Sequence, residues 1–261
     1  MGFTRTEAIV LKTKNLREAD KLITLYTREH GKMQAVAKGL RKVKAKYGAS
    51  LEMFTHNQVM LFTKTERDIA KVTGCKVLHP FYGLRESFFK YSMASYLLEL
   101  VDQFSEHNQA NDDIFNLLGK SLSLMETGAL KTRENYLLLW DWFALKVLEY
   151  SGYRLALERC VLCQDRIAGY ESLAFISLAQ GGLICPECRG KAGVLEKLDQ
   201  ADLQGLRRLQ VSELGHLAAL DIDPAARLTI KNILEAYFAY LLGYTLNCSE
   251  FFLNQPAAKA A

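Results

Sequence analysis

The hydrophobic pattern changes period once along this chain, at His79-Pro80, and this constrains the fold more than any other feature. Upstream, TEAIVLKT, DKLITLYTRE, MQAVAKG, LEMFTHNQVMLFTKT and DIAKVTGCKVL alternate with the two-residue period of strands. Downstream, FYGLRESFFKYSMASYLLELVDQF, NDDIFNLLGKSLSLMETG, TRENYLLLWDWFALKVLEYSGY and PAARLTIKNILEAYFAYLLGYTL repeat apolar residues every three or four positions, as helices do. One segment cannot hold both periods, so the expected fold is α+β and multidomain. A β domain spans residues 1–79 and an α-helical domain spans residues 80–261. Five short strands joined by Gly-containing turns suit a small antiparallel barrel, and an oligonucleotide-binding (OB) barrel has that strand count.

Charge follows the same division. Residues 1–80 carry 16 Lys and Arg against 7 Asp and Glu, and the remainder carries 17 against 22, so +9 and −5 make the net +4. The excess is concentrated further. From His30 to Leu51 there are six basic residues (Lys32, Lys38, Arg41, Lys42, Lys44 and Lys46) and no acid. A solvated surface loop normally mixes both signs. Cations gathered beside a barrel instead suit the phosphates of a nucleic acid, which release condensed counterions when neutralised. Lys14 and Arg17, in the first inter-strand turn, are weaker candidates for the same contacts. Tyr47, Phe54 and Tyr26 are candidate stacking surfaces, although aromatics in strands more often fill cores.

Within the helical part, Cys160-Val-Leu-Cys163 and Cys185-Pro-Glu-Cys188 form two CxxC pairs separated by 21 residues. Each pair can project two thiolates from one tight turn, and two such turns complete the four-sulfur shell that zinc prefers. The intervening LAFISLAQGGLI suggests a hairpin closing at Gly181-Gly182, so the expected element is an inserted zinc finger at 160–188. Two disulfides are the rival reading and need an oxidising compartment, for which the N-terminus shows no signal-peptide-like stretch. Four sulfur ligands leave no open position for water, so one zinc per chain would be structural rather than catalytic.

Enzyme signatures fail. Gly119-Lys120-Ser121 resembles the end of a phosphate-binding loop but has Ile114 where the first Gly belongs. There is no HExxH, no GxSxG and no His-x-Glu, and the five histidines are scattered. The expectation is a protein without catalytic residues. No run of about 18 uncharged apolar residues is present, so no membrane span is expected either.

The stretch EADKLITLYTREHGKMQAVAKGLRKVKAKYGASLEMF resembles the N-terminal barrel of the RecO family of recombination mediators. The shared pattern is a strand ending in Thr-Arg-Glu, a Gly-Lys turn, Val-Ala-Lys-Gly, a basic loop and a Gly-x-x-Leu-x-x-Phe lead-in to the next strand. SGY at 151–153 and the paired CxxC finger extend the likeness to the family's zinc-bearing branch. The resemblance implies binding of single- and double-stranded DNA and annealing of complementary strands in bacterial recombinational repair (the RecF pathway). It implies action with RecR to load RecA onto DNA coated by single-stranded DNA-binding protein (SSB), in the cytoplasm at the nucleoid. By position, Lys38, Arg41, Lys42, Lys44 and Lys46 would contact phosphates, and Cys160, Cys163, Cys185 and Cys188 would hold zinc. One departure concerns the pocket for the acidic SSB tail: the family's arginine is replaced at Asp141-Trp142-Phe143-Ala144, an unfavourable neighbour for an acidic peptide. Two other readings stay open on the residues alone, an RNA-binding barrel with a zinc finger and a helical adaptor with weak DNA affinity.

Overall fold

The computed structural model describes residues 2–16, 18–40, 47–64, 69–167 and 174–247. By contacts the chain divides into two compact units, residues 1–129 and 130–261. The barrel of the first unit is built from β1 (Gly2–Leu16), β2 (Asp20–Thr27), β3 (Gly31–Ala37), β4 (His56–Thr63) and β5 (Ala70–His79). It closes in the order β1-β2-β3-β5-β4, the five-stranded OB arrangement. The expectation of an antiparallel barrel needs one correction, because β3 and β5 run parallel at Ala35–Ala70 and Val36–Lys71.

Strand alternation fills the barrel. Ala8 and Val10 of β1, Ile23 and Leu25 of β2, Ala35 and Ala37 of β3, Val59 and Leu61 of β4, and Ala70 and Val72 of β5 form one buried cluster. β1 is long enough to pair with two neighbours, with β4 from Gly2 to Ile9 and with β2 from Ala8 to Leu16. Its register shifts between Val10 and Lys12, the kind of bulge that bends a strand around a barrel corner. The strand read from Leu51 begins only at His56; Leu51 closes a 3₁₀ turn at Gly48–Leu51, after which Phe54 takes a left-handed conformation, φ 75°. That conformation turns the Phe54 ring inward, where the Arg85 guanidinium lies 5.6 Å from its centroid.

β5 ends at His79, where the period changes, yet the compact unit runs on through α1 (Phe88–Phe104) and α2 (Asp112–Glu126). Both helices carry caps that their sequences supply: Ser87 accepts from the Lys90 N–H and Asn111 from the Ile114 N–H. α2 is held to the barrel by Arg28, which lies over the Phe115 ring at 4.3 Å and donates to Asn116 Oδ1 at 3.1 Å. Glu7 accepts from the same Arg28 and lies 3.1 Å from His56 Nε2. Burial lowers the His56 pKa, opposed by Glu7. The loop before α2 covers the start of β3, with the Asn108 N–H donating to the Lys32 carbonyl at 3.0 Å. Gly31 makes that approach possible. Its φ is +62°, and a Cβ there would sit 1.8 Å from the Gln109 carbonyl oxygen.

The second unit contains α3 (Arg133–Tyr150), the strands β6 (Ala174–Ser177), β7 (Gly182–Ile184) and β8 (Glu196–Leu198), then α4 (Gln200–Val211) and α5 (Pro224–Leu242). β6 and β7 form the expected hairpin. β8 joins the other edge of β6, and Asp199, just after it, caps α4 in a reciprocal box with Asp202. α3 is buried around most of its circumference, as suits a helix apolar on every side. Its one buried acid, Asp141, is fully enclosed and 3.3 Å from Arg227 Nη1 of α5. Burial lifts the Asp141 carboxyl to about 7 against the pull of Arg227 and Lys231.

Two outcomes follow. Gly31→Ala is expected to destabilise the first unit by more than about 1 kcal/mol in urea unfolding, since neither the positive φ nor the Gln109 carbonyl tolerates a Cβ. Gly48→Ala, which meets nothing within 4 Å, serves as the control. For Asp141 the folded state holds the proton more tightly than the unfolded chain, whose carboxyl titrates near 3.9. The stability contributed by protonation is therefore complete below about pH 4 and lost as pH rises through about 7. Asp141→Asn should remove that part of the pH dependence in urea melts across this window.

Candidate nucleic-acid interface and metal centre

After the bulge in β1, the outward positions of three neighbouring strands fall into two rows. Lys12 pairs with Thr24 and Thr24 with Gln34; Lys14 pairs with Leu22 and Leu22 with Val36. Five of these residues (Lys12, Lys14, Leu22, Thr24 and Gln34) line a cleft of about 260 Å³ together with Asp102 and His107. Both lysines are exposed, whereas the acid is engaged: Asp102 Oδ1 lies 3.4 Å from Lys32 Nζ. Among the described residues no carboxylate pairs with Lys12 or Lys14, so the cleft keeps a positive side.

The exit of β3 is tied to the same end of the barrel. The Gly39 N–H donates to Asp20 Oδ1 at 2.8 Å, which joins the root of the basic segment to the first inter-strand turn. Lys38 stands exposed beside this junction. Of the remaining expected phosphate contacts, Arg17, Arg41, Lys42, Lys44 and Lys46 lie outside the described residues. Lys32, counted among the unopposed cations, is opposed after all, by Asp102 of α1.

The stacking expectation needs correction. Tyr26 and Phe54 are fully buried, with Tyr26 stacked on Phe115 at 6.4 Å and Phe54 edge-on to Tyr91 at 5.1 Å. Burial raises the Tyr26 pKa. Tyr47 packs against the barrel core and donates its hydroxyl to the Thr73 carbonyl at 2.5 Å. These rings serve packing. Sequence reasoning missed Lys12, Thr24, Gln34 and His107. Only the strand register shows that Lys12 and Lys14 share a row pattern with Thr24 and Gln34, and His107 comes from a distant loop.

The four cysteines are brought together by backbone pairing. Residues 156–161 run beside β7: the Leu183 N–H donates to the Ala156 carbonyl and the Val161 N–H to the Leu183 carbonyl, both at 2.9 Å. This sets Cys160 next to the strand that leads into Cys185. Gly182 allows the approach, since a Cβ would lie 2.7 Å from the Ala156 carbonyl oxygen. The first turn is closed by the Gln164 N–H on the Cys160 carbonyl at 2.9 Å, and the second by the Cys188 N–H on the Cys185 carbonyl at 3.1 Å. All four sulfurs lie within 4.8 Å of one another, with Cys163 and Cys185 3.6 Å apart. A tetrahedral ion with metal–sulfur bonds of about 2.3 Å needs sulfurs about 3.8 Å apart, so the cluster has the dimensions and the soft donors of a zinc site. Burial opposes ionisation of Cys160, but the backbone N–H groups of Cys163, Cys185 and Leu162 outweigh it and bring its pKa to about 6. Burial pushes the Cys185 thiol upward. Cys75, isolated in β5, is raised by burial to about 11 and has no place in the cluster.

Asp141 does not act as the sequence suggested. It is enclosed and faces Arg227, while Trp142 is buried and donates its indole N–H to the Ser212 carbonyl at 2.8 Å. The acid is thus not displayed to any surface ligand. Among the described residues no helix is long and apolar enough to cross a membrane.

Comparison with known proteins is consistent along the chain. The family profile described as Recombination protein O N terminal matches residues 1–81, and that described as Recombination protein O C terminal matches residues 85–249. The DNA repair protein RecO of Pelotomaculum thermopropionicum is 31% identical over 264 residues, covering 100% of this chain and 99% of its own. That of Alkaliphilus metalliredigens is 32% identical over 233 residues, 89% of this chain and 91% of its own. That of Syntrophus aciditrophicus is 35% identical over 185 residues, 70% of this chain and 69% of its own.

Cobalt(II) titration tests the metal centre. Thiolate-to-metal absorption should saturate at one ion per chain, and Cys160→Ser or Cys185→Ser should weaken binding and the finger's resistance to proteolysis together.

Proposed function

This chain belongs to the RecO family of DNA repair proteins, and from that premise we propose that it binds single- and double-stranded DNA on its barrel and anneals complementary strands. The observation that carries this reading is the pair of exposed lysines, Lys12 and Lys14, lining one cleft, with Lys38 exposed at the exit of β3. Lys12, Lys14 and Lys38 hold phosphates, joined by Arg17, Arg41, Lys42, Lys44 and Lys46. Neutralised phosphates let two strands approach without mutual repulsion, and base pairing then supplies the sequence specificity. No bond is made or broken, so the protein acts by binding rather than by catalysis.

Zinc, one ion per chain, is held by Cys160, Cys163, Cys185 and Cys188 as a brace. When bound it supplies the cross-link that keeps two short turns and the small β6–β7–β8 sheet together. The chain's own part is the pairing of residues 156–161 with β7, which presents the thiolates. In the cell the protein works with RecR to load RecA onto SSB-coated single strands, in the cytoplasm at the nucleoid. The enclosed, paired state of Asp141 removes the electrostatic objection that the sequence raised against an acidic partner peptide.

Annealing of complementary oligonucleotides is the test. Lys42→Glu/Lys44→Glu/Lys46→Glu and Lys12→Glu/Lys14→Glu variants are each expected to anneal more slowly. Each lost phosphate contact should reduce the slope of log affinity against log salt by about one. Equal rates in wild type and both variants would overturn the assignment, and a strong preference for RNA over matched DNA would favour an RNA-binding role instead.

A further inference from the structure

The β1–β4–β5 face of the barrel carries a partly exposed apolar platform. Before the bulge, β1 points its odd residues outward. There Phe3 pairs with Phe62 of β4, and Arg5 pairs with Met60. β5 completes the rows, with Lys71 beside Phe62 and Gly74 beside Met60. The Phe3 and Phe62 ring centroids are 5.0 Å apart and tilted by 50°. Phe3 is 70% exposed and Met60 45%. Gly74 leaves room for this arrangement, since a Cβ there would crowd the Met60 side chain at 3.1–3.3 Å.

Among the described residues the unpaired charge on this face is positive. Arg5, Lys71 and Lys76 are exposed. Arg5 donates to the neutral Gln58 amide oxygen, so that its charge is not cancelled. The one acid in these rows, Glu7, is occupied by Arg28 at 3.3 Å and His56 at 3.1 Å. Among the described residues no carboxylate pairs with Arg5, Lys71 or Lys76. An aromatic pair with Phe3 exposed and Phe62 half-buried, set among cations that no described carboxylate pairs, complements a polyanion that offers flat π-faces, which is the chemistry of an unpaired nucleic-acid strand. A duplex fits poorly, because its bases are stacked on one another and unavailable to the rings.

We propose that Phe3 and Phe62, flanked by Arg5 and Lys71, form a second binding site specific for unpaired nucleic acid, on the β1–β4–β5 face and separate from the Lys12–Lys14 cleft. Bases stack on Phe3 and Phe62 while Arg5 and Lys71 meet the phosphates. Two single strands could then occupy one barrel, and a strand that becomes paired loses its stacking and leaves this site.

The test places an indole reporter at the platform. In the full-length Phe3→Trp variant, emission from position 3 should be quenched in a saturable manner by oligothymidylate and left unchanged by a duplex of equal length, over the constant background of buried Trp140 and Trp142. Phe3→Ala, at a side chain too exposed to support the fold, should weaken oligothymidylate binding roughly tenfold with little change in salt slope, because stacking releases no counterions. Combining Phe3→Trp with Lys12→Glu/Lys14→Glu should leave the quench in place, which separates this site from the cleft. The proposal is overturned if emission does not change while anisotropy of a labelled oligothymidylate reports binding, if duplex quenches equally, or if the cleft substitutions abolish the quench. Failure of the cleft variants to slow annealing, with the quench retained, would count against the annealing assignment alone.

Discussion

One strand, β1, takes part in two different pairings, and the rest of the first unit depends on how it does so. Its first half pairs with β4 and its second half with β2, and the shift between Val10 and Lys12 lies where the partners change. A straight strand could not serve both without breaking its hydrogen bonds. With the corner turned there, the barrel closes on an interior of mostly small and branched residues, and β3 needs only a short parallel junction to β5. The same shift decides what each outer face carries. Phe3 and Arg5 point outward on one side of it, Lys12 and Lys14 on the other.

The two compact units answer the same problem differently. In the first, α2 is joined to the barrel through Arg28, Phe115, Glu7 and His56, a mixture of ring contact and charge at a partly exposed seam. In the second, α3 is buried nearly all round, and its one acid is tolerated because Arg227 approaches it and burial favours the protonated form. The cysteine cluster stands apart from both strategies. Its turns and strands of three or four residues bring four sulfurs within 4.8 Å of one another, an arrangement that a metal ion would cross-link.

Much was legible from residue order. Five strands, the place where their period ends, and the two cysteine pairs with their hairpin were each carried by local chemistry. The misreadings share a cause. Tyr26 and Phe54 looked like stacking surfaces because a strand's alternation does not say which of its two faces is inside, and Phe54 moreover sits at a left-handed turn, while Tyr47 lies before a 3₁₀ turn whose packing the sequence does not show. β8 was missed because three residues show no period. Asp141 looked like a surface acid because its partner, Arg227, lies 86 positions away.

What the order of residues determined by itself is therefore whatever depends on neighbours within a few positions: element type, helix ends, the excess of cations from Lys32 to Lys46, and the capacity of two CxxC turns to hold a metal. Tertiary structure alone decided which side chains meet. Register across strands grouped Lys12 and Lys14 in one cleft and Phe3 with Phe62 on the other face, paired Lys32 with Asp102, and enclosed Asp141 beside Arg227. The physical reason is that local propensity acts along the chain, whereas pairing, burial and charge compensation act through space once the strands have closed.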